Sequence, residues 1–231
     1  VTTKEIEESI IRTERQGTPA TFVGAAVELD KDGDAVHSGI VIFNGNECKL
    51  FHFTGRDVRL VESTDSDWRN RNWYYHKVID RIDEEEIEAF LSFCRNISKK
   101  ATPRYAFYYD GHAKYTPTGD YIYTSVKGQY MTCVGFCLNV LHGFIDDGQY
   151  LDPSTWPVTD ETEQENYEDF LETLRKHDVE FDNNVIKVGF KRISPSEFLS
   201  SAFLDMKPIV YDDIKPLTDQ VELVLCRFVN N

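Results

Sequence analysis

Three side chains have the types and contexts that acyl-transfer chemistry needs: Cys133, His37 and His52. Thr132-Cys133 opens a run in which Val134, Cys137, Leu138 and Leu141 recur at helical spacing, while Phe136, Val140 and Phe144 fill a second side. A helix apolar on two sides is buried between layers. Gly143 is the expected stop. Cys133 then occupies the first turn, behind Gly128-Gln129-Tyr130. Unpaired backbone N–H groups and the helix dipole favour a thiolate there. The same N–H groups suit the oxyanion of a tetrahedral intermediate.

The two histidines belong to the clearest hairpin signal in the chain. HSGIVIF and CKLFHF, rich in β-branched and aromatic residues, flank the Asn-Gly pair of NGNE. A two-residue loop of Asn44 and Gly45 sets Phe43 opposite Asn46, and His37 then falls directly opposite His52 on one face. A loop of three or four residues moves that pairing by one or two positions. Gly39, Val41 and Phe43 share the His37 face, and Ile40 and Ile42 take the other. Both faces are apolar, which predicts a central strand.

Other reactive side chains have blander explanations. Cys137, one turn after Cys133, is expected to pack. His142 lies where an imidazole caps helix-end carbonyls. His112, in YDGHAKY, reads as a solvated loop residue, His177 as a surface residue, and His76 as a rival base in an aromatic strand. Trp68, Trp73, Tyr74 and Tyr75, and the tyrosines between Tyr105 and Tyr123, either pack or frame a cleft. No pair of carboxylates is isolated for glycosidase work. DKDGD lacks the later ligands of a calcium loop, and no tight Cys/His knuckles suggest zinc. No cofactor is expected.

These residues need a scaffold, which the pattern draws as α+β. Expected strands cover Thr21 to Leu29, the hairpin, Trp73 to Ile79, Tyr105 to Tyr109, Val185 to Phe190 and an apolar closing segment, Val221 to Val229. Expected helices cover Lys4 to Arg15 (or a frayed arm), Asp83 to Ile97 behind an acidic start, Asp160 to Val179, and Ser194 to Phe203. The last carries Pro195 in its first turn and Glu197 at the capping-box position. Arg56 to Asn72 reads as a loop, residues 108 to 123 as a turn-rich cleft rim, and DPSTWP as a linker or wrapping loop.

Composition limits the setting. The chain has 231 residues, 41% hydrophobic and 28% charged, enough for a real core without staples. Lys and Arg number 25 against 40 Asp and Glu, a formal net charge of −15. That argues against a general nucleic-acid binder. No apolar run approaches the roughly 20 residues needed to cross a bilayer, so no stable membrane insertion is expected. VTTKEIEESI does not read as a signal peptide. Five scattered cysteines make a poor disulfide framework and point to a reducing, cytoplasmic compartment. The carboxylate-rich stretch from 160 to 180 is a solvated helix face, or a surface for a basic protein partner.

The chain resembles the circularly permuted papain-like group, relatives of the NlpC/P60 peptidases that include YiiX-like and lecithin retinol acyltransferase-like proteins. The resemblance rests on His37-Ser38-Gly39-Ile40, then Phe51-His52-Phe53, then Thr132-Cys133-Val134-Gly135-Phe136 with Leu141-His142-Gly143. It covers roughly residues 20 to 150, and each short motif gains weight from their order. Cys137 has no counterpart in the pattern, nor does the chain after about Asp152. The resemblance implies an antiparallel sheet packed on a buried helix that bears the cysteine. It implies Cys133 as nucleophile, His37 as base and His52 as the residue orienting His37. It divides the chain into an N-terminal arm or helix (1–19), a papain-like catalytic core (20–152), and a C-terminal α/β extension packed on or completing that core (153–231).

The implied activity is a cysteine-dependent amidase or peptidase that acts on an amide or ester carbonyl through a thioester acyl-enzyme. Its substrate would be a peptide, a protein or an acyl-bearing small molecule. The alternatives are a lipid acyltransferase, a non-catalytic protein-binding module on the same scaffold, and a metal-dependent enzyme using His37 and His52.

Overall fold

A computed structural model describes residues 1–13, 21–62, 74–123, 127–145, 148–157, 168, 172, 176 and 192–230. The expected strand Val185 to Phe190, His177, Trp68, Trp73 and most of the acidic helix after Asp160 lie outside the described residues.

Among the described residues the frame is a six-stranded antiparallel sheet. Its strands are β1 (Ile11–Arg12), β2 (Phe22–Leu29), β3 (Ala35–Phe43), β4 (Cys48–Phe53), β5 (Val58–Glu62) and β6 (Tyr74–Val78), in the spatial order β1-β6-β2-β3-β4-β5. β3 is central, as its two apolar faces predicted. Period-2 alternation divides the residues between two faces. Val23, Ala25, Val27, Ile40, Ile42, Phe51 and Phe53 point inward to the main core. Phe22, Ala26, Val41, Leu50, Val61 and Tyr74 form a separate cluster on the outer face.

Helices cover the inner face. α1 is Thr3–Ser9, α2 Ile87–Lys100, α3 Cys133–Phe144, α4 Pro195–Ser201 and α5 Tyr211–Asn230. α2 buries Ile87, Phe90, Leu91, Cys94 and Ile97, a helical stripe, and Asp83 with Glu86 makes a capping box just ahead of it. α3 is buried over nine successive residues, Cys133 to Leu141. Its Phe136 ring meets Phe51 at 5.1 Å and Phe53 at 6.2 Å. α4 starts where expected, with Ser194 and Glu197 completing a capping box and Pro195 at the first position. Residues of α4 and α5 join the same core cluster as the sheet and α3. Short strands β7 (Arg104–Tyr105), β8 (Lys114–Tyr115), β9 (Tyr121–Ile122) and β10 (Tyr130–Met131) make two small two-stranded sheets. Among the described residues no helix is long and apolar enough to cross a membrane. All five cysteines are free thiols.

Several local expectations need correction. Val221 to Val229 is helix, not strand. The buried positions Ile214, Leu217, Val221, Val224 and Leu225 follow a 3.6-residue period that begins well before Val221. Lys4 to Arg15 is not one helix: α1 ends at Ser9, and Ile11–Arg12 pairs with β6. The segment after Arg56 contains the edge strand β5. Of the expected Tyr105 to Tyr109 strand only Tyr105 is in a strand, the two-residue Arg104–Tyr105. The supposed cleft rim holds the β8–β9 hairpin, with Tyr115 fully buried. Gly143 does not stop α3, which runs through Phe144. It is required instead for close approach, because a Cβ there would fall 2.1 Å from the Tyr115 carbonyl oxygen. Trp156 is buried and Pro153–Thr155 forms a 3-10 turn, so DPSTWP wraps the core.

Candidate active site

The hairpin loop has four residues, not two. Phe43 pairs with Cys48, and the β3–β4 ladder runs back to Ile40 and Phe51. Asn44 is the reason. Its side-chain oxygen accepts from the backbone N–H groups of Asn46 and Glu47, an Asx-type turn that widens the loop. The register therefore moves by two positions, which preserves the face of every side chain. His37 and His52 become diagonal neighbours, and their rings still meet. Nε2 of His37 and Nδ1 of His52 are 2.9 Å apart, with the rings edge to face. Gly39 lies between them: a Cβ there would come within 3.2 Å of His52 Cβ and 2.7 Å of Leu50 Cδ1. His52 is 5% exposed and His37 is half-buried.

Cys133 opens α3, and the Thr132 side chain accepts from the Gly135 N–H as the N-cap. Cys133 is 9% exposed. The backbone of Ser38 is among the groups that pull its pKa down. Ser38 lies beyond the last β3–β4 rung and directly follows His37. Helix and imidazoles approach β3 from opposite faces, because α3 packs against Ile40, Ile42, Phe51 and Phe53 while the histidine pair shares the side of Gly39 and Leu50. The expected meeting of thiol and imidazole is therefore not what the sheet shows: Cys133 lies on the inner side of β3 and the His37–His52 pair on the outer side.

Electrostatics at the thiol run against the simplest expectation. Burial pushes the Cys133 pKa up. The backbone groups of Ser38, Val134 and Cys133, together with the Arg192 charge, pull it back without cancelling the rise. The helix N-terminus favours a thiolate as expected, but desolvation outweighs it. Burial also raises Cys48, to about 11, and holds Cys94 and Cys137 well above the ordinary range. Arg192 lies 5.4 Å from the Phe107 ring. It also lines an open groove of about 520 Å³ with Gly33, Ala35, Ser194 and Cys226.

The remaining histidines separate cleanly. His142 does not cap its own helix; Nδ1 lies 3.1 Å from the Ala113 carbonyl oxygen, which ties α3 to the segment before β8. His112 is exposed. His76 is fully buried, stacked on Phe22 at 4.9 Å, with Nδ1 3.1 Å from Thr13 Oγ1. Among the described residues no group of three or more His, Cys, Asp or Glu is arranged to hold a metal ion. Sequence reasoning missed Ser38 and Arg192 as neighbours of the thiol. No local signal marks them, since both come near it through long-range packing. Compared with models of protein families, with curated proteins and with solved structures, the chain matches none.

Proposed function

We propose that this protein is a cysteine-dependent hydrolase of the permuted papain-like kind, acting on an amide or ester carbonyl. One observation supports the reading: the His37 ring is hydrogen-bonded to the His52 ring, in a chain whose Cys133 opens a buried helix. His37 uses Nε2 for that bond, which leaves Nδ1 to exchange a proton with the thiol, and the reading requires that exchange to pass around the end of β3. The Cys133 S–H proton moves to Nδ1, and the sulfur lone pair forms a C–S bond to the carbonyl carbon. The carbonyl π pair moves to oxygen, facing the N–H groups at the start of α3. Collapse expels the amine or alcohol, which takes the proton from His37 and leaves a thioester. Water, deprotonated by the same nitrogen, releases the acid and restores the thiol.

A second reading, a binding module on the same scaffold, is favoured by the burial that raises the thiol pKa. Alkylation separates the two. Iodoacetamide labelling, resolved by peptide mass spectrometry across pH, should modify Cys133 near neutral pH faster than Cys48, and His37→Ala should remove the advantage. Cys133 reacting no faster than Cys48 would overturn the hydrolase reading and favour the binding module.

A further inference from the structure

The outer face carries a row of polar side chains across five adjacent strands: Tyr74 on β6, Glu28 on β2, His37 on β3, His52 on β4 and Arg59 on β5. Tyr74 is opposite Glu28, Glu28 is opposite His37, and His52 is opposite Arg59. Residues directly opposite have Cβ atoms about 4.5–5.5 Å apart. Two hydrogen bonds knit the row: the Tyr74 hydroxyl donates to Glu28 Oε2 at 3.2 Å, and His37 Nε2 meets His52 Nδ1 at 2.9 Å. Beside it the face is apolar, with Phe22, Ala26, Val41, Leu50 and Val61. The charges are ordered, with a carboxylate on the His37 side of the imidazole pair and a guanidinium on the His52 side.

We propose that Glu28 and Arg59 are positioning residues that decide which ring of the imidazole pair keeps the proton, Glu28 favouring it on His37 and Arg59 keeping His52 a neutral acceptor at Nδ1. The inference deepens the hydrolase reading, on which its catalytic meaning rests. A neighbouring negative charge favours a protonated imidazole, and a neighbouring positive charge disfavours one. Which ring nitrogen bears hydrogen is set by the partner of the other. With Nε2–H donated to His52, His37 keeps its lone pair on Nδ1, the atom that receives the thiol proton. After that transfer His37 is a cation beside Glu28, and the Nε2–H bond is unchanged. Two histidines alone lack the negative charge that an Asp–His pair supplies, and Glu28 provides it from the neighbouring strand. Tyr74 steadies the carboxylate.

Among the described residues, the other ionisable groups facing this part of the sheet are few. Asp57 lies 3.7 Å from Arg59 and tempers its charge. His76 is next along β6, one position beyond Tyr75, on the same face as Tyr74. Cys133 and Arg192 approach from the inner side.

The test is NMR of ¹⁵N-histidine in the full chain, following imidazole nitrogens against pH. The expected wild-type pattern has His37 Nε2 protonated and His52 Nδ1 accepting. Glu28→Gln, which keeps an acceptor for Tyr74, should lower the proton affinity of the pair by about tenfold. Arg59→Gln should raise it by a smaller factor and shift the proton toward His52. Arg59 is about half exposed, so this variant carries the test even if Glu28→Gln fails to fold. Midpoints unchanged in the variants, or His52 as the donor, overturns the proposal. The two readings fail separately. An imidazole titration that responds while Cys133 labels no faster than Cys48 keeps the row and removes the hydrolase. The reverse pattern keeps the hydrolase and removes the row.

Discussion

Three histidines share the outer face of one sheet, yet its two regions treat them in opposite ways. At the β6 side, His76 is stacked on Phe22, bonded to a hydroxyl and fully buried. Burial, with Lys77 adding a smaller push, drives its pKa down to about 4. At the β3–β4 side, an imidazole is bonded to an imidazole in a row that includes a carboxylate. Each region has a glycine that makes room. A Cβ at Gly24 would fall 3.1 Å from His76 Cδ2, and one at Gly39 would fall 3.2 Å from His52 Cβ. The comparison teaches that residue type and burial do not fix the character of an imidazole. The partner does: a neutral hydroxyl fixes the imidazole as an uncharged packing unit, whereas a second imidazole leaves it a place to keep a proton.

The strongest break of this comparison is at the thiol. Cys133→Ser should abolish turnover of any ester or amide substrate while leaving the thermal melt nearly unchanged, since the two side chains are close in size. Retained turnover rules out the acyl-enzyme route. Next, His37→Ala should lower the rate by about 10²–10⁴-fold, the usual worth of a general base. His52→Ala should cost less, because it removes orientation and not the base. His76→Phe should leave the rate within about twofold of wild type. Equal losses in all three would erase the distinction between the two regions.

Much of this arrangement is legible in the sequence, for identifiable reasons. The helix bearing Cys133 follows from apolar periodicity on two sides, and burial confirms it. The shared face of His37 and His52 survives a wrong loop length because the side-chain period is 2 and the error was two positions. The loop was misread because Asn-Gly signals a two-residue turn, while the Asn44 side chain builds a wider one. β5 escaped because an edge strand with an exposed Arg59 and Glu62 looks like a polar loop. α5 was hidden by a dense valine and leucine stretch whose helical period shows only when read from Ile214. Glu28 and Arg59 could not be paired with the histidines from sequence, since register across four strands is a tertiary fact. The thiol environment was half legible. A helix N-terminus can be read from the chain, but the desolvation opposing it depends on what packs around the sulfur.

The His76 region gives the next sharpening, through acid stability. The folded pKa of about 4 lies below the ordinary imidazole value of 6.5, so between these values the unfolded chain holds the proton and the folded chain does not. His76 therefore costs nothing above about pH 6.5 and progressively more as pH falls toward 4, where its effect levels off at about 3 kcal/mol. Urea denaturation from pH 7 to pH 4 should show that much less acid destabilisation in His76→Phe than in wild type. Identical pH slopes would mean that His76 takes up its proton without unfolding, and the contrast between the two regions would lose its electrostatic basis.

The smallest expected effect is also the most local. Gly39→Ala places a methyl group against Leu50 Cδ1 at 2.7 Å, His52 Cβ at 3.2 Å and the Phe51 carbonyl oxygen at 3.3 Å. Leu50 can rotate away, but His52 and the β4 backbone must shift by a few tenths of an ångström, at a cost of about 1–2 kcal/mol. Gly24→Ala meets His76 Cδ2 and the Lys77 carbonyl oxygen, both at 3.1 Å, and should cost a similar amount. The two variants then form a matched pair, equal in stability loss and different in consequence. Only Gly39→Ala should lengthen the bond between His37 and His52, seen as a change in the His52 Nδ1 resonance and a slower alkylation of Cys133. A Gly39→Ala protein with the wild-type imidazole spectrum would show that the pair tolerates displacement, and that the glycine between its two strands serves packing alone.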